Sequence, residues 1–239
     1  MRIVKCQQGT AEWLKARCGK ITASRVADVL ATLKKGGEGA DRRNYRIELL
    51  AERLSGRTED HYVSPEMAWG SEFEPIARTA YEIATGEMVD TVGFLLHPIF
   101  DFAGGSPDGL VGEDGGIELK CPKTTTHIKW MSGGGVPEEH QAQCLWNMAC
   151  AERSWWDFIS YDPRLPDGLK IFIVRMERDE SRIKLIEDEV SRFNDEVEEA
   201  ASGLRKRVTV APPAPPPVVD TRSDFDQLMA MMDDQELIP

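Results

Sequence analysis

No run of eighteen apolar residues occurs anywhere in the chain, so no membrane-spanning helix is expected. The amino terminus, MRIVKCQQGT, lacks the apolar stretch of a secretory signal, and a soluble cytoplasmic protein is the expectation. Cysteine is scarce and scattered. Cys6, Cys18, Cys121, Cys144 and Cys150 are odd in number and contain no Cys-x-x-Cys pair, which indicates neither a disulfide framework nor a zinc or iron-sulfur cage. Basic charge is short as well: 29 Lys and Arg stand against 41 Asp and Glu, a net charge of -12. Taken as a sum, that balance is wrong for a partner of nucleic acid.

The distribution of charge matters more than the sum. Residues 1 to 60 carry thirteen Lys/Arg against eight Asp/Glu, a net of +5. Residues 61 to 176 carry eight against seventeen, and residues 177 to 239 eight against sixteen. Any contact with a polyanion is therefore expected in the amino-terminal third. The acidic excess divides between a candidate cation-binding centre and the carboxy-terminal segment.

The most informative segment is Ser106 to Lys120, SPDGLVGEDGGIELK. Asp108 sits in a Pro-Asp-Gly turn, and Glu118 and Lys120 lie two apart in a run that reads as a strand. Strand side chains alternate faces, so Glu118 and Lys120 project together while Leu119 points into the opposite layer and keeps only its carbonyl near them. The result is a pocket of hard oxygens with a cation beside it, which suits Mg²⁺ and in-line attack on a phosphodiester. Each piece also has a plain structural reading, because Ser-Pro-Asp-Gly is a good turn and Glu-Leu-Lys is common in half-buried strands.

Thr10 is placed to cap a short helix, AEWLKARC, stopped by Gly19, and Thr22 to open a second helix through Leu30. On spacing alone Ser24 only contributes to capping and Arg17 is a solvated charge. After a glycine-rich loop, Asp41 is expected to cap a helix with the apolar stripe Ile47, Leu50 and Leu54. That register turns Arg42, Arg43, Arg46, Arg53 and Arg57 outward, as a candidate grip on a phosphate backbone. Ser64-Pro65-Glu66 opens another helix, with Phe73, Ile76, Ala77, Ala80, Tyr81 and Ala84 at helical spacing until Gly86. Pro75 is expected to bend or start it locally, which leaves Glu74 either a third site carboxylate or a simple early-turn residue. Strand-like runs follow (MVDTVGFLLH, IFDFAGGS, GIELK, WWDFISYD, KIFIVRME), with a helix after Pro137 carrying His140 and Gln141 and a charged helix over 179–207. This order predicts an α/β fold with a central mixed β-sheet flanked by helices.

Five segments in this order, EWLKARCGKITASRV, AWGSEFEPIAR, SPDGL with GGIELKCP, HQAQCLW, and SYDPR with VRMERDE, resemble the phage lambda exonuclease family, viral recombination alkaline exonucleases with a restriction-endonuclease-like core. The resemblance implies that Asp108, Glu118 and the carbonyl of Leu119 hold two Mg²⁺ ions, with Mn²⁺ able to substitute. It implies that Lys120 positions the attacking water and that Glu74 and Gln141 complete the site. It gives Arg17, Ser24 and Ser106 to the 5′-phosphate of the recessed strand. It further implies a ring-shaped homotrimer that threads duplex DNA, digests one strand from 5′ to 3′, and leaves a 3′ overhang for a single-strand annealing protein. Pro75 is a departure from the family's pattern.

The resemblance ends near Ala211. Residues 1–210 are the expected nuclease domain, 211–219 a stiff proline-rich linker, and 220–239 an acidic amphipathic tail with Phe225, Leu228, Met229 and Met232 on one face. That face is either a binding helix for the annealing partner or an appendage that folds back or stays disordered. Three rivals to the exonuclease stand: a site-specific endonuclease with the same site, an iron-sulfur nuclease, against which the missing cysteine quartet argues, and a non-catalytic DNA-end-binding module.

Overall fold

The computed structural model describes residues 1–32, 36–58 and 64–208. The linker and amphipathic tail expected over 211–239 lie outside the described residues. Met1–Gly203 form one compact unit; of a second, Leu204–Pro239, only the end of the last helix is described. The elements run β1 (Arg2–Val4), α1 (Ala11–Arg17), β2 (Ile21–Thr22), α2 (Val26–Val29), α3 (Ala40–Ser55), α4 (Pro65–Thr85), β3 (Val89–Asp90), β4 (Phe94–Leu96), β5 (Ala103–Gly105), β6 (Gly109–Val111), β7 (Gly115–Lys120), α5 (Thr124–Gly133), α6 (Glu138–Ala151), β8 (Trp155–Tyr161), β9 (Ile171–Glu177) and α7 (Glu180–Val208).

The strands form two mixed sheets, ordered β1-β4-β5-β2 and β3-β6-β7-β8-β9. In the larger, β7 is central, antiparallel to β6 and parallel to β8. A parallel neighbour needs a crossover, and α5 and α6 supply it. One face of β7 sends Ile117 and Leu119 into a layer with Ala77 and Tyr81 of α4 and Ile159 and Tyr161 of β8. Behind the other face lies α6, every residue of which from Cys144 to Ala151 is buried. A helix apolar on all sides belongs inside a layered core, and Trp146, Met148 and Cys150 join Trp156 of β8 there. Gly116 of β7 is required by that packing, since a Cβ would stand 2.3 Å from the Trp156 ring.

Several expected boundaries hold. Thr10 caps α1 by accepting from the Trp13 N–H at 3.4 Å, and Ser64 and Gly86 close the two ends of α4. Others shift for identifiable reasons. Thr22 opens no α-helix; Ile21 and Thr22 pair in parallel with Ala103 and Gly104, and Ser24 falls in a single 3₁₀ turn before α2. Asp41 does not cap α3. Gly39 does, because its backbone bonds Ala31 and a Cβ there would lie 2.8 Å from the Ala31 carbonyl oxygen. Pro75 neither starts nor ends α4, which runs through it.

The largest correction concerns the arginines of α3. The buried stripe is Arg42, Tyr45 and Leu49, while Ile47 is 60% exposed and Leu54 42%. Arg42 reaches Glu196 at 2.7 Å and the Val29 carbonyl at 2.5 Å. Arg46 bonds Glu38 and Glu196, and Arg53 bonds Glu198 and the Gly19 carbonyl. A register taken from aliphatic residues alone fails here, because the acidic face of α7 draws the guanidinium groups inward. Only Arg43 and Arg57 of the five stay exposed.

Candidate active site

The turn after β5 and the end of β7 bring the first three candidate residues together. Asp108 Oδ2 accepts from the Leu119 N–H at 2.6 Å, which ties the turn to the strand. Lys120 Nζ donates to Glu118 Oε1 at 2.5 Å, so the two project from one face as alternation requires. Pairing of β6 with β7 ends at Gly109 opposite Ile117. The N–H and C=O of one strand residue point to the same side. Leu119 therefore presents its carbonyl where β6 has departed, beside the N–H that Asp108 takes.

Glu118 is 1% exposed and is held on its other oxygen by Asn147 of α6, whose Nδ2 donates at 3.3 Å. Glu74, on α4, accepts from Arg78 at 2.6 Å, and the same nitrogen donates to the Asp108 carbonyl at 3.2 Å. Arg78 and Asn147 thus support the site, and sequence reasoning singles out neither. The Glu74–Arg78 spacing of four within a helix is a usable signal. Asn147 carries none, since a polar residue inside an apolar helix can serve any core.

Burial pushes the Glu118 carboxyl up to about 7, with Asp108 and Glu74 adding repulsion against the pull of Lys120. Asp108 is also raised, by burial, and Glu74 by burial and Asp108 together. Burial alone would lower Lys120, but Glu118 and Asp108 hold its ammonium above the ordinary range. Three carboxyls whose ionisation is opposed by burial, and in Glu118 and Glu74 by neighbouring acids as well, form a donor set that a hard cation would relieve. Among the described residues no three His, Cys, Asp or Glu side chains stand in a ready-made metal cluster. Lys120 and Arg78 neutralise two of the three acids instead. The oxygens fit Mg²⁺, which needs only one or two carboxylates beside substrate phosphate and water.

Two clefts meet at this centre. One, of about 470 Å³, is lined by Glu74, Asp108, Leu119, Lys120 and His140; the other, of about 860 Å³, by Gln8, Trp13, Glu74, Arg78 and Asp108. His140, stacked on Phe158, faces the first cleft and is kept neutral by burial, its pKa near 4. Gln141 is not brought to the cluster: its amide donates to the Val136 carbonyl at 2.8 Å and accepts from Arg182 at 2.8 Å.

A third cavity, of about 510 Å³, holds Arg17 and Ser24 and shares Met67 with the first cleft and Trp13 with the second. The Arg17 guanidinium lies 4.1 Å over the Trp13 ring, and Trp13 Nε1 donates to Ser106 Oγ at 2.8 Å. Thr22 and Ser24 share a hydroxyl hydrogen bond at 3.4 Å. The three residues assigned to an end phosphate are therefore assembled around one tryptophan. Arg17 makes no ion pair among the described residues, and its guanidinium is partly desolvated, which lowers its pKa.

An acid on a turn, Glu-x-Lys on the central strand of a mixed sheet and helices on either side are the features of a restriction-endonuclease-like nuclease core. Residues 12–154 match the YqaJ-like viral recombinase domain. Two crystal structures of the alkaline exonuclease LHK-Exo from Laribacter hongkongensis, one in complex with dAMP, are 47% identical over 84% of this chain and 100% of theirs, with TM-scores of 0.78 and 0.79. A phage-related exonuclease from Haemophilus somnus 129PT shares the fold, with a TM-score of 0.61 at 16% identity over 77% of this chain and 96% of its own. No curated protein sequence matches the chain. The chain belongs to the YqaJ-like viral recombinase family, that of the lambda-type exonucleases, and is a viral-recombinase-type DNA exonuclease.

Proposed function

We propose that this exonuclease is Mg²⁺-dependent, digests one strand of linear duplex DNA from a 5′-phosphorylated end, and leaves a 3′ overhang for single-strand annealing. The observation that carries the reading is the meeting of Asp108, Glu118 and Lys120 at the end of β7, with the Arg17 cavity opening alongside. An end phosphate seated on Arg17, Ser24 and Ser106 would set the next phosphodiester at the carboxylates, which is the geometry of a 5′-end digester. The relative that binds dAMP holds the kind of mononucleotide such digestion releases.

Asp108, Glu118 and the Leu119 carbonyl would hold the metal. Bound there, Mg²⁺ supplies polarisation of the scissile phosphate and a lowered pKa for the attacking water. Lys120, already fixed by Glu118, orients that water and offsets charge developing on the phosphate. Glu74 would complete the site from its place in both clefts, whereas Gln141 would join it only by exchanging its bonds to Val136 and Arg182. A homotrimeric ring around the duplex, and capture of an annealing protein by the segment beyond residue 210, belong to the same reading.

The test is a time course on linear duplex labelled at either end, with 5′-phosphate or 5′-hydroxyl, in Mg²⁺ or chelator, beside a closed circle. Expected is loss of label from phosphorylated 5′ ends first, only with Mg²⁺, and an intact circle. Nicking of the circle would favour the endonuclease, and 3′ label lost first would reverse the polarity.

A further inference from the structure

Arg42, Arg46 and Arg53 of α3 are engaged by the acids of α7, so most of the charge expected there to grip DNA is already spent. We infer that Arg164 and Lys123 form a phosphodiester-binding subsite adjoining the catalytic cleft, which grips the backbone of bound duplex beyond the scissile bond. This rests on the nuclease reading and extends it to residues not assigned there.

A cavity of about 380 Å³ is lined by Pro65, Glu66, Trp69, Pro122, Lys123 and Arg164, among others. It shares Glu66, Cys121 and Pro122 with the cleft that holds Asp108 and Lys120, so a strand leaving that cleft on this side would pass over it. Arg164 is built in. Its Nε donates to Asp162 Oδ1 at 2.7 Å, its Nη2 to the Pro122 carbonyl at 2.9 Å, and its guanidinium stacks 4.7 Å over the Trp69 ring. Asp162 is fully buried and acts as an anchor, not as a competitor at the surface. Arg164 is nevertheless 45% exposed, and its Nη1 has no hydrogen-bond partner among the described residues. A planar fork held on one edge and open on the other is pre-organised for a phosphate oxygen.

Lys123 adds a second charge. It is 70% exposed and, among the described residues, paired only with Glu66, at 2.9 Å and itself 58% exposed, an ion pair that phosphate can displace. Lys123 is also the N-cap position of α5, which has no side-chain cap, so the positive end of that helix adds to the local potential. No base-reading group is needed, since a backbone grip serves any sequence.

Anisotropy of a fluorescein-labelled, 5′-phosphorylated duplex, titrated with the full-length protein in chelator across a KCl series, reads the subsite directly. Removing one cation that neutralises a phosphate should lower the slope of log Kd against log salt by about one. Lys123→Ala is expected to lower it by about that amount and weaken binding roughly three- to tenfold, with Lys123→Glu worse. Arg164→Gln should do the same, with its melting temperature recorded because Asp162 is left without its partner. Arg164→Lys should restore the slope but not the full affinity. Arg43→Ala, exposed on α3, should leave both unchanged. Wild-type slope and affinity in Lys123→Glu, in a protein that still digests linear DNA, would remove the subsite and leave the nuclease reading intact. A wild-type protein that neither binds nor digests duplex would remove both.

Discussion

Lys120 is the residue whose replacement separates catalysis from folding most cleanly. It is 29% exposed on its side chain and sits at the end of β7, so Lys120→Ala leaves the core packed. Hydrolysis should fall by about 10² or more, as for other groups that stabilise charge in the transition state, while near-UV circular dichroism of the folded protein stays unchanged. Asp108→Ala should also abolish digestion. Near-normal rates in either variant would remove the catalytic assignment. Arg17→Ala should erase the preference for a 5′-phosphate over a 5′-hydroxyl end, measured as a ratio of initial rates, because only the phosphate uses the bidentate charge. At this scale the sequence is legible where spacing maps onto strand geometry, as for Asp108, Glu118 and Lys120. Arg17 and Ser24 are not separable from a cap and a surface charge, because the cavity that unites them is closed by Tyr45 of α3 and Met67 of α4, far along the chain. Arg78 and Asn147 act through Glu74 and Glu118, and a supporting role leaves no pattern of its own.

Between elements, the joint of α3 with α7 is ionic on top of an apolar base. Arg42 is 8% exposed, and its removal strands the Val29 carbonyl and leaves Glu196 with Arg46 alone of its two arginines. Arg42→Ala should therefore cost about 2–4 kcal/mol in urea unfolding, and Arg43→Ala, fully outside the joint, close to nothing. Equal midpoints for the two variants would show the joint to be superficial. Helix ends are legible when a side chain marks them, as Thr10 and Ser64 do. The register of α3 is not, since Tyr45 and Leu49 look like minor members of a longer aliphatic stripe until the acids of α7 are in place. The short strands β2 and β6 are also hidden, because two or three residues carry no period.

For the molecule as a whole, one buried histidine makes the core sensitive to acid. His97 is fully buried, stacked between Phe100 and Trp146, and its Nδ1 accepts from the backbone of Ile99 and Phe100. Its other nitrogen, Nε2, lies 3.3 Å from Glu187. Burial, with Arg178 adding, pushes the pKa of His97 down to about 4. In the unfolded chain it returns to about 6.5, so the unfolded state takes up the proton first. Stability is full above about pH 6.5 and declines as the pH falls towards 4, by on the order of 2–3 kcal/mol from this group. His97→Gln should flatten that part of the stability profile between pH 7 and 4.5; an unchanged slope would assign the acid sensitivity elsewhere. The central place of β7 has a further consequence, for the order of events during synthesis. Asp108, Glu118 and Lys120 leave the ribosome about midway through the chain, yet the parallel partner β8 follows only after α5 and α6, and such non-local pairings form late. A nascent or truncated chain ending before Trp155 holds the entire acidic motif on a strand with one edge uncovered. Digestion of DNA is therefore expected only from chains that have added the last quarter of the folded domain, and unfinished copies would be harmless to it.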